Sequence, residues 1–166
     1  MSPDKESAPS PARDLNARLR QGQPARMLID GHNLLYRLDD VFGICFEQGH
    51  PRKNARDELI LRLTDCTRDM PQLQIDLWFD STTAAHHTIN DQLRVHYSGG
   101  KGKNRTDRQL ANMLRSSIPD VDLPFFVVSD DLGVRRQCMK LNASILACRD
   151  IAELVRPASR TSPRCV

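Results

Sequence analysis

The sequence predicts an α/β domain built on a central, mostly parallel, five-stranded sheet. Three observations point there. Short apolar runs of strand length alternate with segments whose apolar residues recur at helical spacing, the signature of strand–helix–strand units. The run at 124–128 is continuous and apolar, as expected of a strand covered on both faces. Three of the runs stop at an aspartate, namely Asp30, Asp80 and Asp130. In parallel sheets ligands bind beyond the carboxyl ends of the strands, so those aspartates would share one edge.

Residues 1–25 carry four prolines among Ser, Ala and charged residues, which predicts a disordered leader with a helical turn over 12–19. The domain is expected to span 26–156. The first strand is read at 27–29 and a short helix at 34–38. Between them lies Asp30-Gly31-His32-Asn33, where Gly31 is expected to let the backbone turn sharply. Residues 39–51 read as a loop with an apolar patch. Asn54 is placed to cap a helix whose face is Leu59, Ile60, Leu63 and Cys66. The second strand is read at 73–79 and the third at 93–97. The polar stretch 81–91 is ambiguous, with a short helix starting near Ala84-Ala85-His86-His87.

A Gly/Lys loop follows at 98–104. Thr106 and Gln109 then fit a capping box, opening an amphipathic helix through Leu110, Met113, Leu114 and Ile118. The fourth strand is read at 124–128. Val134, Cys138 and Leu141 mark the next helix, 143–147 the fifth strand and 149–155 a last helix. Residues 157–166 read as a flexible tail.

Composition narrows the function classes. Lys+Arg 24 against Asp+Glu 21 gives a net charge of +3, which permits a polyanionic partner without selecting one. The five cysteines form no C-x-x-C pair and have no zinc-finger spacing, so reduced, buried thiols are expected. No apolar run approaches the roughly 20 residues of a membrane span. The polar, proline-bearing start is not a secretory signal, and the cytoplasm is the expected compartment.

The candidate chemistry lies in the carboxylates. Asp107 opens the helix after the third strand and would join Asp30, Asp80 and Asp130 on one edge, with Asn33 as a further oxygen donor. Crowded carboxylates repel one another unless a cation neutralises them. Hard oxygen donors select Mg²⁺ or Mn²⁺, which serve phosphodiester hydrolysis by activating water and stabilising the charge that grows on the phosphate. Each aspartate also has a plainer role open to it. Asp107 can favour a helix dipole, Asp130 or Asp131 can cap the next helix, and Asp80 can serve a turn. Lys101, Lys103, Arg105 and Arg108 surround Asp107 and are suited to a phosphate backbone, or else form a solvated loop. His32 is a candidate substrate contact or packing residue. Arg56 faces either the acidic edge or solvent. His86-His87 reads as a polar surface pair.

In this order and spacing, several motifs resemble the NYN domain family, in particular its YacP-like branch within the PIN-like nucleases. They are Leu28-Ile29-Asp30-Gly31-His32-Asn33, Asn54-Ala55-Arg56, Leu77-Trp78-Phe79-Asp80, Thr106-Asp107 and Val127-Val128-Ser129-Asp130. His32 stands where the family has tyrosine, and the alanine usual between Thr and Asp is missing before Asp107. The resemblance implies a PIN-like three-layer sandwich and a divalent-metal-dependent endoribonuclease, with ribosome-associated mRNA as a candidate substrate. It aligns Asp30, Asp107 and Asp130 with catalytic, metal-holding positions. The other reading weighed is an RNA- or ribosome-binding module without cleavage. A phosphatase or phosphoacceptor would call for Asp-x-Asp after the first strand, and Asp30-Gly31-His32 does not supply it.

Overall fold

The computed structural model of the 166-residue chain describes residues 9–42, 46–47, 50–51, 53–100, 108, 123–141 and 143–156. In chain order its elements begin with helix α1 (Pro11–Arg20), strand β1 (Ala25–Asp30) and helices α2 (Gly31–Arg37) and α3 (Asp39–Phe42). A small ladder of β2 (Phe46–Glu47) and β3 (His50–Pro51) precedes helix α4 (Lys53–Asp69). Strands β4 (Leu73–Phe79), β5 (Ala85–Thr88), β6 (Leu93–Tyr97) and β7 (Phe125–Val128) follow. Helix α5 (Leu132–Met139), strand β8 (Ser144–Leu146) and a 3₁₀ turn (Cys148–Ile151) complete the described chain.

The main sheet runs β5-β6-β4-β1-β7-β8. β6, β4, β1, β7 and β8 are parallel, and β5 pairs antiparallel with β6 at the edge. The sheet therefore has six strands among the described residues, one more than the sequence predicts. The added strand is β5, where a short helix was expected. Its residues Ala85-His86-His87-Thr88 present no apolar period, and three of the four are exposed, so only its pairing with β6 marks it as a strand.

Side-chain alternation sends each strand's residues to two faces. Met27, Ile29, Ile75, Leu77, Val95 and Val128 pack with Leu34, Leu35, Leu59 and Leu63 of α2 and α4. Leu15 of α1 joins this core at 3% exposure, so part of the stretch expected to be a loose leader is a docked helix. Ser10 caps it and Pro11 sits in its first turn, which turns the apparent disorder signal into a helix start. On the opposite face Leu28, Trp78 and Val127 pack against Val134 and Cys138 of α5. The result is a three-layer sandwich.

Three further expectations change. The loop at 39–51 contains α3, whose Phe42 is fully buried, and the β2–β3 ladder. The last helix is a 3₁₀ turn rather than an α-helix over 149–155. Helix α4 begins at Lys53, so Asn54 lies inside it. Cys66, Cys138 and Cys148 are buried free thiols, as the spacing suggested. The amphipathic helix read after Thr106 and the tail at 157–166 fall outside the described residues, apart from Arg108.

Gly31 has a role other than the turn expected of it. It is helical from the first turn of α2, and its backbone is not among the positive-φ glycines. A Cβ there would sit 2.5 Å from the Phe79 ring and 2.8 Å from the Trp78 carbonyl oxygen. Glycine is required because α2 starts in contact with the end of β4. This close approach holds Asp30 and His32 against the end of that strand.

Candidate active site

β1 lies at the centre of the sheet, and its last residue, Asp30, pairs in register with Trp78 of β4. On the other side Ile29 pairs with Val128 of β7. Asp80 and Asp130 follow β4 and β7 on this same carboxyl edge. The topology thus brings three of the four predicted aspartates to one edge. Asp107 lies outside the described residues.

Asp30 is only 8% exposed. One carboxylate oxygen accepts the Asn33 backbone N–H at 3.4 Å, capping α2, and the other accepts the Ser129 hydroxyl at 3.2 Å. A buried acid held this way has its orientation fixed by two elements at once. Asn33 acts as a tie across the edge. Its side-chain oxygen accepts the Asp130 backbone N–H at 2.8 Å, and the Ser129 hydroxyl and Cys148 thiol lie at 3.4 and 3.3 Å. That oxygen is therefore already engaged with β7 and the 3₁₀ turn.

The choice left open between Asp130 and Asp131 is resolved by geometry. Asp131 caps α5, accepting the N–H groups of Gly133 and Val134 at 2.8 and 3.1 Å. Asp130 points elsewhere, toward Arg135 Nη2 at 3.2 Å and Arg37 Nε at 3.9 Å. Arg135 also donates to the Ser129 carbonyl at 2.8 Å, which fixes its guanidinium beside the carboxylate. Cys148 sits among these acids. Burial first, and then the neighbouring Asp130, push its thiol up to about 12, so it stays protonated and unreactive.

On the β4 side the Asp80 backbone N–H donates to His32 Nδ1 at 3.3 Å. The His32 ring meets Phe79 edge-on, with centroids 5.3 Å apart. Burial lowers the His32 pKa, nearby Asp80 opposes this, and Arg56 adds to it. The neutral imidazole, accepting at Nδ1, presents Nε2–H as a donor. Arg56 is thus close enough to His32 to act on its charge. Of the predicted RNA contacts, Arg108 is exposed and helical, while Lys101, Lys103 and Arg105 lie outside the described residues.

Among the described residues no three His, Cys, Asp or Glu side chains converge as a ready metal cage. The edge gathers carboxylate oxygens, the donor type that hard divalent cations take, beside the Cys148 thiol and the His32 ring. Asp30, Asp80 and Asp130 are the described carboxylates on that edge.

The sequence reading missed Ser129 as the hydroxyl between Asp30 and Asn33, and the arginines Arg37, Arg135 and Arg149. It also missed Asp76, a fully buried acid on β4. Asp76 receives Arg26 Nε at 2.8 Å, Arg94 Nε at 3.1 Å and His96 Nε2 at 2.8 Å. Beyond it, His96 Nδ1 meets His86 Nδ1 at 2.7 Å, and Trp78 stacks on His96 with centroids 4.4 Å apart. His86 is therefore half of a specific contact between β5 and β6. The signal was a period of two: Arg26, Asp76, Arg94 and His96 all occupy the same face of adjacent strands.

A mostly parallel sheet between two helical layers, with acidic residues gathered at its carboxyl edge, is the architecture of a PIN-like sandwich. Within that class the fold is YacP-like. It is similar to the crystal structure of a single-substitution variant of Rae1 (YacP) from Bacillus subtilis, with a TM-score of 0.61 and 16% identity, over 79% of this chain and 74% of that one. This likeness shows the fold, and does not extend to membership of the NYN family. No family model matches the sequence, and no curated protein does.

Proposed function

We propose that the chain is a divalent-metal-dependent endoribonuclease of the cytoplasm, acting on single-stranded RNA, with ribosome-associated mRNA as its candidate substrate. The observation that carries this reading is the placement of Asp30 at the end of the central strand, flanked by Asp80 and Asp130, in a YacP-like fold. The NYN-like order of motifs supports it further. In this reading Asp30, Asp130 and Asp107 hold Mg²⁺ or Mn²⁺, with Asp80 completing the acidic rim. When bound, the cation would supply Lewis acidity and charge neutralisation for phosphodiester hydrolysis.

The chain's own groups set the stage for that step. Ser129 and the Asn33 N–H aim the Asp30 carboxylate. Asn33 serves as the tie that keeps β7 and the 3₁₀ turn at fixed distance from it, not as a direct ligand. Neutral His32 offers Nε2–H to a phosphate or ribose oxygen near Asp80. Arg56, Lys101, Lys103, Arg105 and Arg108 would position the RNA backbone.

The test is a circular single-stranded RNA incubated with the purified chain. Linearisation with Mn²⁺ or Mg²⁺, and none with EDTA, is the expected result, because a circle can be opened only by internal cleavage. An intact circle under every divalent ion would overturn the enzyme reading. One observation favours the second reading, an RNA-binding module without cleavage: Asp130 is already neutralised by Arg135 and Arg37. Tight RNA binding alongside an intact circle would select it.

A further inference from the structure

A cavity of about 530 Å³ opens beside Asp130, lined by Arg37, Leu132, Arg135 and Arg149. We infer that it is a phosphate-binding subsite that seats a nucleotide of single-stranded RNA next to the acidic edge. The inference rests on the RNA-cleaving reading above and adds residues that the sequence motifs did not supply.

Four elements build the cavity. Arg37 ends α2, Asp130 follows β7, Leu132 and Arg135 belong to α5, and Arg149 lies in the 3₁₀ turn after β8. Their guanidiniums face the carboxylates of Asp130 and Asp40, with Asp39 also acting on Arg149. Arg37 and Arg135 share Asp130, and Arg149 pairs with Asp40 at 2.9 Å. The side chains of Arg37 and Arg149 remain 59% and 56% exposed, so their pairing leaves donor faces open to a ligand. A guanidinium has five N–H donors in a planar fork, enough to hold a carboxylate and a phosphate together.

Arg135 is more confined, at 32% exposure, and is anchored to the Ser129 carbonyl. It is the fixed wall, and Arg37 and Arg149 are the adjustable ones. Leu132 is 65% exposed within this ring of charge. An exposed leucine alone means little. Lining the same cavity as three guanidiniums, it supplies an apolar rest for an unstacked base, of the kind single-stranded RNA offers. Duplex RNA keeps its bases stacked and would not use it.

The test is binding of a short fluorescent oligouridylate to the full chain in EDTA, read by anisotropy across a salt series. Arg37→Ala and Arg149→Ala should each weaken binding by about fivefold and lower the salt slope by about 0.7, the counterion release of one single-strand phosphate contact. Arg149→Lys should recover part of the loss. Arg68→Ala removes an exposed arginine where α4 ends, before β4 starts at the opposite edge, and should leave binding unchanged. Thermal melting of each variant checks that the fold is intact.

Equal binding by wild type and both cavity variants overturns the subsite, even if wild type opens circular RNA. An equal loss in Arg68→Ala overturns it too, since the effect would then be net charge alone. Arginine-dependent binding with no cleavage under Mn²⁺ or Mg²⁺ supports the subsite while overturning the enzyme reading. Absence of RNA binding by wild type in EDTA overturns the subsite, and an intact circle under every divalent ion overturns the enzyme reading separately.

Discussion

Asp30→Asn should lower Mn²⁺-dependent RNA cleavage by about a thousandfold, the rate equivalent of about 4 kcal/mol, while the protein stays folded. Asparagine keeps the size of the side chain but loses its charge and one of its two acceptor oxygens. The remaining oxygen can accept the Asn33 N–H or the Ser129 hydroxyl, both of which Asp30 now satisfies. Losing one such bond costs about 1 kcal/mol of stability, well below what a domain of this size needs to unfold. The separation between a large kinetic loss and a small thermal shift is the informative part. Single-turnover cleavage and thermal melting, measured on the same preparation, provide it. Activity within a few-fold of wild type would remove Asp30 from the chemistry.

Asp76→Asn should do the reverse, destabilising the fold by about 3 kcal/mol. Asp76 is fully buried and is the common partner of Arg26, Arg94 and His96. Neutralising it leaves two arginines beside a buried amide. Arg94, nearly half exposed, can turn to water, but Arg26 is only 15% exposed and lies over the Phe125 ring. The cost therefore sits at the low end for a broken buried pair.

The effect depends on pH with a definite sign. Burial pushes the Asp76 carboxyl up, but the His96 hydrogen bond and the two arginines outweigh it and hold its pKa below the ordinary value. The unfolded chain then binds the proton more readily than the folded one. The stabilisation from Asp76 is complete above the unfolded carboxylate value of about 3.9 and is lost as pH falls through the lower folded value. Urea melts should show a wide gap between wild type and Asp76→Asn near neutral pH and a smaller one near pH 3. A gap that widens in acid would contradict this assignment.

What could be read from the sequence follows the physics of burial. β4 and β6 match their predicted spans to the residue, because their apolar runs are bounded by polar turns. β7 and β8 differ by one residue at their ends. β5 was invisible because its stability comes from pairing with β6 and from the His86–His96 contact, neither of which leaves an apolar period. The helical turn read at 12–19 is present as α1, but its docking through Leu15, with Ala12 and Leu19 beside it, was hidden by the prolines and charges around it.

The same distinction holds at the candidate site. Asp30, Asp80 and Asp130 stood out because each ends an apolar run. Arg37, Arg135 and Arg149 could not, since they are spread over three elements and meet only when β7 and β8 are laid beside β1. Asp76 was hidden for a related reason: its partners come from β1 and β6, and only the strand register aligns them. Gly31 was noticed for its freedom to turn, yet what requires it is the proximity of Phe79 and Trp78.

The most direct measurement is an anomalous-difference map from crystals of the full chain soaked in Mn²⁺. A peak within about 2.2 Å of an Asp30 carboxylate oxygen, a distance typical of small hard cations, is the expected result. A fully occupied Mn²⁺ peak elsewhere on the molecule, with none at Asp30, would contradict the central claim that this strand end holds the metal.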